Sequence, residues 1–405
     1  LEEVLKKKIL IVTECFYPEE FKINELALEW KNKGYHVDVL TMVPSYPKSE
    51  IFDGYKNKWF QKDNWNGITI YRVKAVTGYK KSLFRKLLKY FAFMFMGSVI
   101  SLKIGKKYDY IFGFQVGPLT AMVPAVILKQ FYKKPVTLWI QDIWPDSVYA
   151  YGFKKTNFLE YFLNGFVKYV YKHTSNFAIS AKGFEQKIIP YLNDKKEIIY
   201  ATNWADYLNK NLEKFVLSDN DKIHFTFAGN IGKVQNLDNI ILAFGSLEES
   251  LLDKAQLNII GDGSYLEKLK SIVKERKFRN IVFWGRKPRE EIYKYLEASD
   301  LLIVSLINKE IFSLTVPAKT QTYIAARKPI LGIINGEAQN IIKENNLGLV
   351  ASPNNIQEIK TIFKIAISLD TQDRKAYSEN CEFLTNTVFN KETIINNLLE
   401  LLKRG

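Results

Sequence analysis

Short apolar runs with little polar alternation recur along this chain and limit its possible folds more than any other feature. Lys8 to Thr13, His36 to Thr41, Ile68 to Val73, Tyr110 to Phe114, Val136 to Ile140 and Asn176 to Ser180 read as strands. Strands apolar on both faces belong in a parallel sheet covered on both sides, and parallel neighbours need crossover connections. Helical stretches lie between most of them; Glu20 to Lys33 is amphipathic and ends at Gly34. The polar segment Asp206 to Asp221 then reads as a linker. After it the pattern restarts with His224 to Phe227, Leu257 to Ile260, Ile281 to Trp284, Leu301 to Val304, Ile330 to Ile334 and Leu347 to Val350. The prediction is an α/β chain of two Rossmann-like, doubly wound domains facing a cleft, over 1–205 and 206–385. With 405 residues, 47% of them hydrophobic and 25% charged, each domain can bury its own core.

The segment from Thr315 to Ile342 carries the most local information. Pro317 opens a helix, Arg327-Lys328-Pro329 stop it, Ile330 to Ile334 is a buried strand, and Asn335-Gly336 turn into a helix that begins at Glu337. A loop between a parallel strand and a helix amino terminus is where open α/β sheets hold anionic ligands. Lys319, one turn into the preceding helix, has the reach to join such a ligand. An ordinary βα unit with a solvated lysine shares this pattern. Gly229-Asn230-Ile231-Gly232 likewise joins a strand to a helix beginning near Asn236. Its glycines let backbone amides approach a diphosphate, although a plain tight turn needs the same residues.

Net charge is +15, and most of the excess is local: thirteen basic residues face one acid, Asp63, between Lys56 and Lys107. Such a field draws anionic partners. Within it, the apolar run Tyr90 to Leu102 is too short for a confident bilayer span, and Phe91, Phe93 and Phe95 sit between basic flanks that include Lys80, Lys81, Arg85 and Lys86. An interfacial helix on an anionic leaflet fits this composition, as does a core helix with basic ends. No recognisable nucleic-acid module accompanies the charge.

The two cysteines, Cys15 and Cys381, form neither a zinc spacing nor a disulfide framework, which fits a reducing cytosol. No secretory pattern marks the start. The three histidines, His36, His173 and His224, are scattered, and Asp219-Asn220-Asp221 lies in the expected linker as a solvated turn. No metal and no cofactor are expected.

The order P-A-K-x-x-x-Y-x-A-A-x-x-P-I-L from Pro317, followed by Gly336-Glu337-Ala338, resembles the retaining glycosyltransferases of family four. Phe16-Tyr17-Pro18-Glu19, Gln141-Asp142-Ile143-Trp144-Pro145-Asp146, Thr202-Asn203-Trp204-Ala205-Asp206 and Phe227-Ala228-Gly229-Asn230-Ile231-Gly232 extend the resemblance, in family order, over nearly the whole chain. The most similar branch builds bacterial surface polysaccharides such as capsule and O-antigen, often from N-acetylated deoxysugar donors, and includes N-acetyl-fucosamine transferases. The resemblance implies a GT-B fold whose last helix, within 386–405, returns to the first domain. It implies a nucleotide-sugar donor, which is a substrate rather than a cofactor. It also implies a polyprenyl-diphosphate-linked sugar acceptor and a cytoplasmic enzyme peripheral to the inner face of the cell membrane.

Residue by residue, the resemblance assigns donor binding to Gly229, Asn230, Gly232, Gln235, Arg286, Lys319, Thr322, Gly336, Glu337 and Ala338. The chain departs from the family here. Asn230 and Gln235 stand where an arginine and a lysine are usual, so Lys319 becomes the candidate for the lost charge, ahead of Lys233. Leu314 and Thr322 occupy the positions of a usual glutamate pair, so the donor ribose is held differently, the nucleotide is unusual, or activity is weakened. Arg286 either contacts the base or is solvated. On the acceptor side Trp144 offers a platform for a sugar ring, beside Asp146, while Asp142 and Glu19 are the candidate catalytic carboxylates. Capping a helix or fixing a turn is the other role open to Asp142. The missing glutamates also leave room for a non-catalytic partner protein that binds only nucleotide-sugar or membrane. A nucleotide-sugar epimerase of similar double-Rossmann form fits poorly, because it predicts a histidine-rich cleft.

Overall fold

The computed structural model describes residues 6–80, 82–150, 153–205, 215–217 and 221–405. Most of the expected linker, with Asp219 and Asn220, lies outside them, as does Lys81. The chain divides into two compact units, the first made of Leu1–Thr202 with Glu392–Gly405 and the second of Asn203–Lys391.

The first unit is built on β1 (Lys8–Thr13), β2 (His36–Met42), β3 (Phe60–Trp65), β4 (Ile68–Val73), β5 (Tyr110–Gln115), β6 (Val136–Ile140), β7 (Asn176–Ile179) and β8 (Ile198–Tyr200). Their order is β3-β4-β2-β1-β5-β6-β7-β8. Every pairing is parallel except the β3–β4 hairpin. That hairpin turns at Asn66-Gly67, both with positive φ, the residue pair that a two-residue turn of this hand favours. The sheet order reverses between β1 and β5, so the carboxyl ends of these strands form the crevice in which such sheets place ligands.

The C-terminal helix Lys391–Lys403 packs on the first unit through buried Ile394, Ile395, Leu398 and Leu402. Trp30 donates its indole N–H to the Ile395 carbonyl at 3.4 Å, and Asn176 donates to the Leu401 carbonyl at 3.0 Å.

The helix Leu83–Ile104 is longer than the apolar run that marks it in the sequence, because Ser82 caps it by accepting the Arg85 amide at 3.2 Å. Its inner face buries Phe93, Met96 and Ile100. Phe93 thus parts from Phe91 and Phe95, which stay exposed, as the helical period requires. The Tyr132 hydroxyl of the neighbouring helix Val123–Tyr132 donates to the Leu102 carbonyl at 2.7 Å.

The second unit has six parallel strands: β9 (Ile223–Ala228), β10 (Ala255–Ile260), β11 (Ile281–Gly285), β12 (Leu301–Ser305), β13 (Ile330–Ile333) and β14 (Gly348–Ala351), in the order β11-β10-β9-β12-β13-β14. Both faces are covered. Phe225, Leu257, Ile303 and Leu331 enter one apolar core, while Ala228, Ile260, Leu302 and Ile330 enter the other. This is the physical reason these strands lack polar alternation. Here the order reverses between β9 and β12.

Candidate functional site

In the second unit the site grows from the end of β9. The helix Ala318–Ala325 is pinned there by Tyr323, whose hydroxyl accepts the Ala228 N–H at 3.0 Å and donates to the Ala228 carbonyl at 3.3 Å. One turn earlier, Lys319 is laid across the strand end. Its ammonium sits 3.6 Å from the centroid of the Phe227 ring and donates to Gln235 Oε1 at 3.1 Å. Gly229 has φ +141°, and a Cβ there would stand 2.5 Å from Lys319 Cε. The next loop is as close: a Cβ on Gly261 would fall 1.9 Å from the Gly229 carbonyl oxygen. These loops can approach one another only as bare backbone, and the amides of Gly229, Ile231, Gly261 and Gly263 are donated to acceptors within the loops and strand ends. Burial, with no carboxylate paired to it among the described residues, pulls the Lys319 ammonium down to about 7.

Gly229, Gln235 and Lys319 therefore come together, with Gly232 and Asn230 in the same loop. Asn230 Nδ2 lies 3.1 Å from where a Cβ of Gly232 would be. Lys233 is exposed. Gly336 precedes the helix Glu337–Glu344 with φ +78°, and a Cβ there would strike the Ser313 carbonyl oxygen at 2.0 Å. Ala338 is buried in the first turn of that helix. Arg286 is exposed beyond β11, two strands from β9. The Thr322 hydroxyl turns back on its own helix, donating to the Ala318 carbonyl at 3.2 Å.

In the first unit a pocket of about 230 Å³ opens among loops that follow β1 and β5, and it is lined by Glu14, Tyr46, Tyr79, Lys89, Tyr90 and Trp144 among others. Glu14 and Lys89 are both buried, with Lys89 Nζ 3.0 Å from Glu14 Oε1 and 4.2 Å from the centroid of the Tyr79 ring. Burial alone would push the Lys89 ammonium down, but Glu14, with smaller contributions from Cys15 and Tyr79, more than offsets it and the group lies above its ordinary range. The sequence reading includes neither Glu14 nor Lys89. A signal existed for Glu14, since an acid directly after a buried parallel strand is the pattern that marks Asp142. Lys89 is hidden among aromatics at a position where the apolar face recurs.

Glu19 is buried and fully engaged. Its carboxylate accepts the backbone amides of Phe16 at 3.2 Å, Ser45 at 2.8 Å and Tyr46 at 2.7 Å. Burial raises its carboxyl above the usual range despite these bonds. This geometry holds the loops after β1 and β2 together. Asp142, after β6, is half-buried, and burial raises it to about 6. Its Oδ2 is enclosed without a hydrogen-bond partner. Trp144 lies between Tyr90 and Phe166, at ring-centroid distances of 6.3 and 6.4 Å. Asp146 pairs with Lys187 at 3.1 Å. No group of three or more histidine, cysteine, aspartate or glutamate side chains that could hold a metal occurs among the described residues.

Residues 209–382, within the second unit, match the family described as Glycosyl transferases group 1. The chain is similar to group 1 glycosyltransferases. The relative named glycosyltransferase WbjE, from Pseudomonas aeruginosa, is 27% identical over 54% of this chain and 56% of its own. The match therefore spans about half the length of that relative. The colanic acid biosynthesis glycosyl transferase WcaI, from Escherichia coli K12, is 24% identical over 73% of this chain and 76% of its own. Among solved structures, HepE of Anabaena in complex with UDP and glucose superposes with a TM-score of 0.65 at 14% identity, covering 98% of this chain and 100% of HepE. The fold, two Rossmann-like domains with parallel sheets, is that of the GT-B glycosyltransferases.

Proposed function

We propose that the protein is a retaining glycosyltransferase. It moves a sugar, of the N-acetylated deoxyhexose class, from a nucleotide-sugar to a lipid-diphosphate-linked acceptor in bacterial capsule or O-antigen synthesis. The observation that carries this reading is Lys319. A half-buried lysine, with no acid paired to it among the described residues, beside the crowded glycine loops that follow β9 and β10, is set to receive a diphosphate. That HepE, of the same fold, binds UDP supports the donor class, and the naming of WcaI for colanic acid biosynthesis supports the polysaccharide context.

In this mechanism Lys319 offsets the charge growing on the departing diphosphate, and the backbone amides of Asn230 and Gly232 share it. The departing phosphate takes the acceptor hydroxyl's proton in a front-face displacement, which puts little demand on a separate base. Asp142, raised toward neutrality, orients the acceptor hydroxyl, and Glu19 braces the loops around the pocket. Tyr46, Tyr79 and Tyr90 of the pocket give a sugar ring apolar faces to stack on, backed by the buried Trp144 ring. The protein works at the cytoplasmic face of the cell membrane, where Lys80, Lys81, Arg85 and Lys86 meet anionic lipid.

A second reading, a binding partner without turnover, is favoured by one observation: Leu314 and Thr322 replace the usual glutamates, and Thr322 is spent on its own helix. A thermal-shift screen over nucleoside diphosphates and nucleotide-sugars tests the main proposal, followed by a turnover assay with the nucleotide-sugar that stabilises most. One nucleotide should raise the midpoint, and Gly232→Trp should remove that response while keeping its own midpoint, because only Asn230 and Val234 side chains lie near a Cβ there. If no nucleotide stabilises the parent, or Gly232→Trp responds normally, the donor site is not this loop. Stabilisation without turnover selects the second reading.

A further inference from the structure

The sequence directs attention to one helix for membrane contact. The structure adds a second. The helix Asn157–Lys172 buries Leu163, Val167, Val170 and Tyr171 on one face and presents aromatics on the other. Phe158 is 82% exposed, Tyr161 83% and Phe162 57%. Leu83–Ile104 does the same with Phe84 at 74%, Phe91 at 47% and Phe95 at 65%. Of the eight described aromatic residues more than half exposed, five lie on these two helices. The helices are joined through Trp144, whose ring lies between Tyr90 of the first and Phe166 of the second.

The surroundings fix what covers this surface. Leu83–Ile104 contains no acid, and Arg85 and Lys86 stand in its first turn. Cations at a helix amino terminus oppose the macrodipole, so they weaken the helix that carries them. The second helix repeats the arrangement, with exposed Lys154 just before it and exposed Lys168 along it. Its one acid, Glu160, is paired with Lys155 at 2.8 Å. Large aromatics rimmed by cations, with no uncompensated acid, suit a bilayer interface carrying anionic headgroups. Phe84–Lys107 is the one helical segment among the described residues long and apolar enough to cross a bilayer. Its inner face, however, is spent on the first unit, with Phe93 buried and Lys89 held to Glu14, which leaves the outer face for lipid.

We infer that these two helices form one membrane-docking surface, which inserts its outward aromatics into the interface of an anionic leaflet. This rests on the membrane reading proposed above and extends it to a helix that carries none of the predicted basic patch. The test is co-sedimentation of the full chain with vesicles of mixed phosphatidylcholine and phosphatidylglycerol. The parent is compared with Phe158→Ser/Tyr161→Ser/Phe162→Ser and with Phe84→Ser/Phe91→Ser/Phe95→Ser. Circular dichroism checks that each variant is folded, and sedimentation velocity reports self-association. Each triple change should weaken partitioning roughly tenfold or more, since each removes three insertable rings, and a Phe158→Leu/Phe162→Leu variant should retain most of the binding. If the parent binds and the second-helix variant binds equally well, the two-helix surface is overturned and the single-helix reading survives. If the parent does not bind, both fall. If the second-helix changes alter self-association but not vesicle binding, the surface is a contact between copies, and the inference is again overturned.

Discussion

Lys89 and Lys319 stand at matching places in the two units, each beside the loop that leaves the strand where the sheet order reverses. Lys89 is buried and Lys319 half-buried, yet their electrostatic situations are opposite. Lys89 has Glu14 at 3.0 Å and is held charged. Lys319 has an aromatic face and an amide oxygen, and burial draws it down to about 7. A lysine already neutralised from within is part of the architecture. One left without an anion has capacity for a ligand that brings one. By this comparison the first-unit pocket suits a neutral sugar, and the second-unit site suits a diphosphate.

The largest effect should come from breaking the internal pair. Glu14→Ala strands a buried ammonium, which costs about 3–5 kcal/mol when one partner of such a pair is removed. Chemical denaturation should show the first unit unfolding earlier, with nucleotide stabilisation of the second unit unchanged. Adding Lys89→Met should restore most of the loss. A cost below about 1 kcal/mol for Glu14→Ala would mean that Lys89 reaches water, and the contrast between the lysines would collapse.

This pair also shows where sequence reading stops. Strands buried on both faces announce themselves through composition, and the starts of β1, β4 and β6 read from the sequence match the structure to the residue. β3, FQKDNW, is polar and antiparallel at the sheet edge, so its composition does not announce a strand, although Asn66-Gly67 beside it is a hairpin signal. β8 has three residues, too few for any period to appear. In the second unit the Gly229 loop, Gln235 and Lys319 are joined in the sequence only by the family resemblance, since the local pattern equally fits a tight turn and a solvated lysine. The Glu14–Lys89 contact, the three amides on Glu19 and the outward face of Asn157–Lys172 depend on packing between segments far apart in the chain, which no local pattern records.

The next effect sharpens the other half of the comparison. Lys319→Met should weaken binding of the stabilising nucleotide-sugar by about 1.5–3 kcal/mol, the range for a hydrogen bond to a charged group. Titration calorimetry across pH separates this from a packing defect. The folded-state value is about 7 and the unfolded value about 10.4, so the unfolded chain binds more protons between them and stability contributed at this site rises with pH over that range. The Met variant should therefore be more stable than the parent near pH 7 and below, with the margin closing toward pH 10. Parent affinity should fall as pH rises past 7, since the diphosphate of a nucleotide-sugar has no proton to lose there, while the variant stays flat. A parent affinity flat from pH 6 to 9 would remove Lys319 from the site.

The smallest effect tests whether the first unit also holds an ionisable group in reserve. Asp146 is paired with Lys187, whereas Asp142 Oδ2 has no hydrogen-bond partner and burial raises the carboxyl to about 6 from an ordinary 3.8. Between those values the folded state binds more protons than the unfolded state. Stability at this site is therefore fully present below about pH 4 and is lost as pH rises through 6. Asp142→Asn keeps the shape and removes the charge, so it should stabilise the protein at pH 7 by on the order of 1 kcal/mol, a figure discounted for partial solvent screening. That gain should vanish toward pH 4. A side chain present only to cap a turn would show stability unchanged or lowered by the substitution, and transfer unimpaired. A carboxylate kept for the acceptor hydroxyl should show the reverse: a more stable protein, an unchanged thermal response to nucleotide, and a reduced turnover number. Turnover equal to the parent's would strike Asp142 from the acceptor side and leave Lys319 as the one reserved charge in this comparison.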